Sequence, residues 1–590
     1  MATASEPLDG GAAHAKGDGR LHRAVGLRGL TLLSLGSIIG SGWLLGALGA
    51  ATSAGPASLL SWVLAGAILG TLALVHAELG ATYPLSGGTA RFPFLSFGTL
   101  GGFSGALMAW IQAVTIAPIE VEASLGYLQS SFPSWGLEHS DGTLTGLGLL
   151  VAALALAAFT WINIMGVRWL AESNSITMVW KLLIPTLTVI VLLIVSFHGK
   201  NFSSGGGFAP FGAKGIFAAL PLGVVFALQG FEQAIQVGGE SRNPQRDIHR
   251  AVITAMIIGT IIYIALEVAF IGAISPKAVA HNWLNPIPGA GKFGPYATLA
   301  TSAGVGWLAT LLYIDAVVSP AGTGLVYTGT SSRLTYGLGR SGYAPATFGR
   351  VAGRGVPVTA LIFCWVIGLL VLLPFPSWAS LVSLVTSATV LMYAMAPVSL
   401  TALRKRDPDR PRPYRLPMAA VLAPLSFVCA NLVVYWSGWN TILWLYVFIA
   451  VGLALFLIYW TATRRRTQMP LEPRAAAWIV PWLAGLGVIS VLGQFPTSAP
   501  KSGWAFGIAL PALQVIPFWW DLVAVAAFSL VVYYGAIRFA HSQQRVAATI
   551  AELEREMEVE ELELAPSQHQ PAPSPSASRP RVRGGLGRPV

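Results

Sequence analysis

The chain has 590 residues, of which 54% are hydrophobic and only 10% are charged, and its formal net charge is +11. Its apolar residues recur in blocks of about 20, the length that a helix needs to cross about 30 Å of hydrocarbon. This composition excludes an ordinary soluble domain and predicts an all-α polytopic membrane protein.

The basic charge follows a topological pattern. Arginines gather in alternate loops, around residues 20–28, 242–250, 333–354, 404–415 and 464–474, whereas the intervening loops contain scattered lysines such as Lys200 and Lys277. This asymmetry is the positive-inside bias, so the N-terminus and the Arg-rich loops are predicted to be cytoplasmic. The positive charge therefore needs no nucleic-acid partner.

Fourteen spanning segments are predicted, and an even number agrees with two cytoplasmic termini. They cover residues 27–50, 57–79, 100–128, 144–164, 176–197, 216–237, 252–274, 297–326, 358–374, 381–403, 418–435, 443–461, 475–492 and 518–539. Because Pro481 interrupts the thirteenth and a Pro-rich stretch precedes the fourteenth, the expected number is twelve to fourteen. Tryptophans near segment ends are predicted to be interfacial anchors: Trp135, Trp378, Trp436, Trp439, Trp519 and Trp520.

The first span contains a run of three glycines and two serines, residues 36–42. Gly36 and Gly40, like Gly42 and Gly46, also have the spacing of a helix-packing motif, so a packing seam is the alternative. The density of glycine and serine favours a broken helix, the usual mark of a binding site at membrane depth. The N–H groups of an unwound turn, at the positive end of the next half-helix, would suit a carboxylate.

Lys181 lies a turn inside the fifth span. An ionisable residue inside a membrane segment is by default a functional candidate, and an amine can gain and lose a proton during a transport cycle. The alternative is a lysine whose side chain extends to the interface.

A second interruption, residues 226–232, lies in the sixth span, five segments after the first. Corresponding interruptions in two halves are typical of an inverted repeat, here pairing the first five segments with the next five. The carbonyl groups freed by an unwound turn would accept hydrogen bonds from an ammonium group. A carboxylate at one break and an ammonium at the other describe an amino acid, over which Phe226 would close.

Carboxylates also occur within the spans: Glu78, Glu120, Glu122, Glu232, Glu267, Asp315 and Asp521. Glu120 and Glu122 are two residues apart and should point to nearly opposite faces of their helix, which argues against a paired acid site. One of the two is expected to reach the cavity. Asp315 precedes the kink at Ser319-Pro320 and is a candidate proton or substrate contact.

The sequence shows no nucleophile-base constellation and no His/Cys cluster with metal spacing. It therefore predicts that the protein is not an enzyme and has no metal site and no cofactor. The domain prediction has four parts. Residues 1–22 form a disordered cytoplasmic N-terminus, 23–415 the transporter core with repeats at 23–200 and 212–415, and 416–540 additional transmembrane helices. Residues 541–590 form a cytoplasmic helix, expected to be solvated, and a disordered tail rich in proline and serine.

These motifs resemble the amino acid, polyamine and organocation transporter superfamily. Residues 36–43 are similar to its first-helix motif, and residues 226–232 with 239–248 are similar to its sixth-helix break and the loop that follows. Residues 315–340 are similar to a subgroup of aspartate and proton symporters. The resemblance extends over residues 23–415 and implies a five-plus-five inverted-repeat fold with broken helices 1 and 6.

The resemblance also implies roles for individual residues. The substrate carboxylate would be held by Ser37, Ile38, Gly40, Ser41 and Gly42, and the amino group by Phe226, Ala227, Leu228 and Gly230. Lys181 corresponds to a lysine that stands where sodium sits in sodium-coupled relatives, and Glu232 and Asp315 are further proton-coupling candidates. Gln229, also assigned to the substrate site, is polar where many members are apolar, so it is expected to affect side-chain selectivity. No arginine is identified at cavity depth to pair with an aspartate side chain.

The sequence therefore predicts a cell-membrane amino acid permease that works by alternating access, with proton symport of aspartate or a related amino acid. Its expected partners are the amino acid, protons and the lipid bilayer. Two alternatives remain open, namely an exchanger or permease for neutral or cationic amino acids and, from another class, a channel. The oligomeric state is not determined by the sequence.

Overall fold

A computed structural model describes residues 25–85, 88–165, 167–351, 356–373, 377–467, 469–495 and 512–564. The predicted disordered segments, 1–22 and the tail from 565, lie outside the described residues. Within the described residues, ten helical stretches are long and apolar enough to cross a membrane, and four shorter helices are also apolar. The predicted all-α polytopic architecture is confirmed.

The helices of the first half are α1 (Leu27–Ile38), α2 (Gly42–Ala54), α3 (Ser58–Thr82), α4 (Gly88–Ser131), α5 (Gly146–Met165), α6 (Val167–Val195), α7 (Gly212–Ala219), α8 (Val225–Leu228), α9 (Gln233–Gln236) and α10 (Pro244–Ala273). The second half contains α11 (Pro295–Ser302), α12 (Gly306–Arg340), α13 (Val358–Leu372), α14 (Trp378–Arg406), α15 (Ala419–Trp436), α16 (Trp439–Thr467), α17 (Ile479–Leu492), α18 (Trp520–Phe539) and α19 (Gln543–Leu564). The predicted eighth span is divided, because Gly304 adopts a φ of +77° between α11 and α12.

The first predicted break is observed between α1 and α2. The helix ends at Ile38, and the ψ of 88° at Ile39 turns the chain out of helical geometry. The amide of Ile39 still donates to the carbonyl of Leu35 at 2.9 Å, and the next helix begins at Gly42. Three residues, 39–41, therefore interrupt this span in the middle of the predicted run.

The second predicted break is also observed. A π-helical turn, Leu220–Val224, joins α7 to the single turn of α8. Gln229 then adopts an extended conformation with a ψ of 159°, and Gly230 has a φ of +115°, which a residue with a side chain rarely adopts. Helical geometry resumes at α9, so the interruption is centred on residues 229–232.

The long helices surround both breaks. Helix α4 bends at Gly98, whose φ is +68°, and packs along α12 and α14, while α10 packs along α1 and α3. The apolar stretch of α14 is entirely buried, whereas only 22% of the corresponding stretch of α16 is buried. The core of the bundle is thus formed around α1, α4 and α14, and α16 lies at its periphery.

Helix α19 packs against the bundle along one face. Val546, Ile550 and Leu553 are buried, and α19 contacts α4. Arg545 also forms an ion pair with Glu472 at 2.9 Å. The expectation of a fully solvated helix is therefore wrong for this face, because an apolar residue every three or four positions gives α19 a stripe that can be buried.

Candidate functional site

The two breaks lie directly against each other. A Cβ atom on Gly230 would lie 2.7 Å from the carbonyl carbon of Ser37, and one on Gly42 would lie 2.8 Å from the Cα of Ala227. Real Cβ atoms essentially never approach so closely, so both glycines are required by the contact between the breaks. The hydroxyl of Ser34 also joins the two elements by donating to the carbonyl of Phe231 at 3.0 Å.

A small cavity lies between the breaks. Ser37, Ile38, Gly40, Gly42, Ile116, Glu120, Phe226, Gln229, Thr323 and Tyr327 line it. Its volume is about 10 Å³, which is room for about one water molecule. An amino acid does not fit, so the lining must move apart before a substrate of that size can bind.

Six of the ten predicted substrate-site residues line this cavity, and Ser41, Ala227, Leu228 and Gly230 do not. Leu228 is buried against α10, where its side chain lies beside Ile38 and Gly259. Ala227 and Gly230 form the contact between the breaks. These residues hold the walls in position and contribute no lining side chain.

Glu120 on α4 reaches the first break. Its Oε2 accepts a hydrogen bond from the amide of Ser41 at 2.8 Å, and its Oε1 lies 2.7 Å from the place of a Cβ on Gly40. Glu122 points away, toward Glu138 in the loop between α4 and α5. The predicted divergence of the two acids is confirmed, and the first break already binds one carboxylate.

Lys181 on α6 lies at the same break. Its Nζ donates to the carbonyl of Gly36 at 2.9 Å and to Oγ1 of Thr323 at 2.6 Å. The side chain is 2% exposed, which excludes the alternative in which it extends to the interface. Gly322 makes room for it, since a Cβ there would lie 3.2 Å from Cε of Lys181.

Asp315 on α12 is one of the three predicted proton-coupling residues, and the structure places it near Lys181. It is fully buried, and the hydroxyl of Ser319 and the indole N–H groups of Trp43 and Trp180 lie near its carboxylate, although none forms a hydrogen bond with it within the described residues. Its carboxylate is also within electrostatic range of Lys181. Two of the three predicted proton-coupling residues, Lys181 and Asp315, therefore occupy one region of the bundle.

Glu232 has a different environment. Its Oε2 accepts from the amide of Gly230 at 3.0 Å and from the hydroxyl of Tyr393. Its Oε1 accepts from Gln112 at 2.9 Å and from Tyr327 at 3.4 Å. Four donors satisfy a buried carboxylate well, and here they tie the second break to α4, α12 and α14.

The structure adds four site residues that the sequence pattern does not assign: Ile116, Thr323 and Tyr327 line the cavity, and Trp378 contacts the first break. Thr323, the partner of Lys181, belongs to residues 315–340, which the sequence marks only by their resemblance to a transporter subgroup. Trp378 is predicted from the sequence to be an interfacial anchor, but its indole N–H donates to Oγ of Ser41 at 3.1 Å. Its ring also meets that of Phe226 edge to face, with 6.0 Å between centroids.

Comparison with known proteins agrees with the family resemblance seen in the sequence motifs. The sequence profile of the amino acid permease family matches residues 25–440. The glutamate/serine transporter AimA of Bacillus subtilis is 36% identical over 531 residues, which cover 89% of this chain and 95% of that protein. The aspartate-proton symporter of the same organism is 36% identical over 525 residues, covering 88% and 96%. The branched-chain amino acid permease BcaP of B. subtilis is 28% identical over 460 residues, which cover 75% of this chain and 94% of that protein.

Proposed function

The chain belongs to the amino acid permease family, so it is a multi-pass membrane transporter and not an enzyme, and we propose that it moves an amino acid together with protons across the cell membrane. The family match spans both breaks, Lys181 and Asp315. Two similar proteins, a glutamate/serine transporter and an aspartate-proton symporter, support an acidic or small polar substrate and proton coupling.

The observation that carries the proposal is the attachment of Lys181 to the broken first helix. The ammonium group on α6 donates both to Gly36 on α1 and to Thr323 on α12. A charged lysine forms strong, charge-assisted hydrogen bonds and would hold the three helices together. A neutral lysine has one hydrogen-bond donor fewer and no charge, so it would hold them less tightly. Protonation would thereby be linked to movement of the first helix against its scaffold.

The substrate positions follow from the polarity of the breaks. The carboxylate would bind at Ser37 to Gly42, because the first N–H groups of α2 have no partner within their helix. The ammonium group would bind the carbonyls around Phe226 to Gly230, at the end of α8. Phe226 would close over the substrate, and its contact with Trp378 supports this role.

Among the predicted proton-coupling residues, the geometry favours Lys181 as the carrier and Asp315 as the acid that responds to its charge. For Glu232 we propose an indirect role in coupling: its four hydrogen-bond donors hold the second break in position. We further propose that the core consists of two inverted repeats, 23–200 and 212–415. Both termini would lie in the cytoplasm, as the arginine distribution predicts.

The experiment that tests the proposal uses purified full-length protein in proteoliposomes with an imposed pH gradient. Thermal-shift screening against the twenty amino acids first identifies a ligand, since binding raises the apparent stability. Uptake of that ligand should exceed its equilibrium level only when the outside is acidic. Lys181→Met should abolish this accumulation, whereas Lys200→Met, a change at an exposed loop lysine, should leave it intact.

Each alternative predicts a different result. An exchanger would take up label only when an amino acid is loaded inside, regardless of the pH gradient. A channel would give uptake that does not saturate with concentration. If the Lys181→Met protein still accumulates substrate with the pH gradient, the coupling role of Lys181 is wrong.

A further inference from the structure

Gln229 has an unusual position in the cavity. The break presents it in an extended conformation, with its own amide donating to the carbonyl of Phe226 at 3.1 Å. Its side chain lines the cavity and is 3% exposed. Neither Oε1 nor Nε2 has a hydrogen-bond partner among the residues that the structure describes. An amide donor and an amide acceptor are therefore both buried and both free.

The other polar side chains lining the cavity already have partners. Ser37 donates to the carbonyl of Leu33, Thr323 accepts from Lys181, Tyr327 donates to Glu232, and Glu120 accepts from Ser41. Among the described residues that line the cavity, Gln229 is thus the polar side chain left open. Buried polar groups are nearly always paired, so an open amide aimed into a cavity indicates a partner that arrives with the ligand.

The position of Gln229 separates it from the groups proposed for the substrate backbone. The carboxylate and ammonium of an amino acid would be taken by main-chain groups of the two breaks, which leaves the substrate side chain to be recognised by lining side chains. Ile38, Ile116 and Phe226 offer only apolar contact. No lysine or arginine is among the residues that line the cavity, so no cation there would attract a charged side chain.

We propose that Gln229 recognises the substrate side chain, and that the transporter selects amino acids whose side chain ends in an oxygen-bearing group over apolar ones of the same size. A hydroxyl or a carboxamide can use both the N–H and the C=O of the amide, and a carboxylate can use the N–H. A site built to hydrogen-bond a group rejects the analogue that lacks it, because the buried polar atoms then stay unpaired. This inference rests on the proposed function, since it assumes that an amino acid binds between the breaks.

The test compares substrates of equal size. Inhibition of labelled uptake is measured for threonine against valine and for asparagine against leucine. In the wild type we expect the oxygen-bearing member to bind about 10-fold tighter or more. Gln229→Leu should reduce both ratios to near one, mainly by weakening threonine and asparagine. Gln236→Leu is the matched control, because that amide donates to Thr89 at 2.7 Å and does not line the cavity.

A second variant keeps the shape of the side chain. Gln229→Glu replaces the NH₂ donor by an oxygen, so it should reject aspartate and glutamate selectively while serine and asparagine, which can donate, continue to bind. Equal weakening of every amino acid by both variants would overturn the inference and leave Gln229 a structural role. Wild-type preference for valine over threonine would overturn it as well. If the wild type binds no amino acid at all, it is the proposed function that fails.

Discussion

The amide of Ser41 donates to the carboxylate of Glu120 at 2.8 Å, so an acid from α4 occupies the break that we propose for the substrate carboxylate. Both carboxylates would need N–H groups of the same short turn. An ionised Glu120 would also repel a second negative charge placed nearby. Substrate binding and the charge of Glu120 should therefore be linked.

Glu120→Gln tests this link. A neutral amide removes the repulsion, so we expect the variant to bind the substrate several-fold more tightly than the wild type. Binding is measured by thermal shift or by isothermal titration between about pH 5.5 and pH 8.5. Glu122→Gln is the control, since that side chain points away from the break. Weaker binding at every pH would mean instead that Glu120 contacts the substrate ammonium.

The contact between the breaks leads to a second prediction. At Gly230 an added methyl group would meet the backbone of Ser37, and the φ of +115° is strained for alanine. Gly230→Ala should therefore lower the free energy of unfolding by about 1–3 kcal/mol or more and abolish uptake. Gly337 on α12 has open space around its Cβ position. Gly337→Ala should therefore be neutral or stabilising, by up to about 1 kcal/mol. Thermal unfolding and uptake are compared for both variants, and equal effects would contradict the required close approach.

Both breaks are predictable from the sequence, because glycine, serine and polar residues in the middle of an apolar span weaken the helix at a depth where lipid offers no hydrogen bonds. Lys181 is predictable as a functional amine for the same reason. That Gly36 and Thr323 are its partners is not predictable, because they are 145 and 142 residues away along the chain and become neighbours of Lys181 only through helix packing. The anchor prediction for Trp378 is incomplete for a similar reason, since its place near a helix start does not reveal which neighbour its ring will meet.

The buried face of α19 gives a third prediction. Val546→Asp places a charge in the buried apolar face of α19 and should detach the helix, because burying an unpaired carboxylate is costly. Ala547→Asp, at the exposed neighbouring position, should leave the helix attached. Limited trypsin digestion measures the difference, with several-fold faster cleavage at Arg545 and Arg555 expected for the first variant alone. Equal cleavage rates would mean that α19 is not held by this face.

The loop between α4 and α5 gives a prediction about pH. Burial raises the pKa of Glu138 from 4.5 to about 8, and the nearby ammonium of Lys292 opposes this shift. The folded protein thus keeps a proton that the unfolded chain has already released above about pH 4.5. The resulting stability is fully present below that pH and is lost as the pH rises through about 8.

Glu138→Gln should remove this part of the pH dependence, since a neutral amide neither binds nor releases the proton. We expect the Tm of the wild type to fall between about pH 5 and pH 8.5, and the Tm of the variant to fall less. Glu552→Gln, at an exposed position on α19, is the matched control and should follow the wild type. Scanning fluorimetry in one detergent at several pH values measures all three proteins. An unchanged slope for Glu138→Gln would show that the carboxyl group is ionised in the folded state over this range.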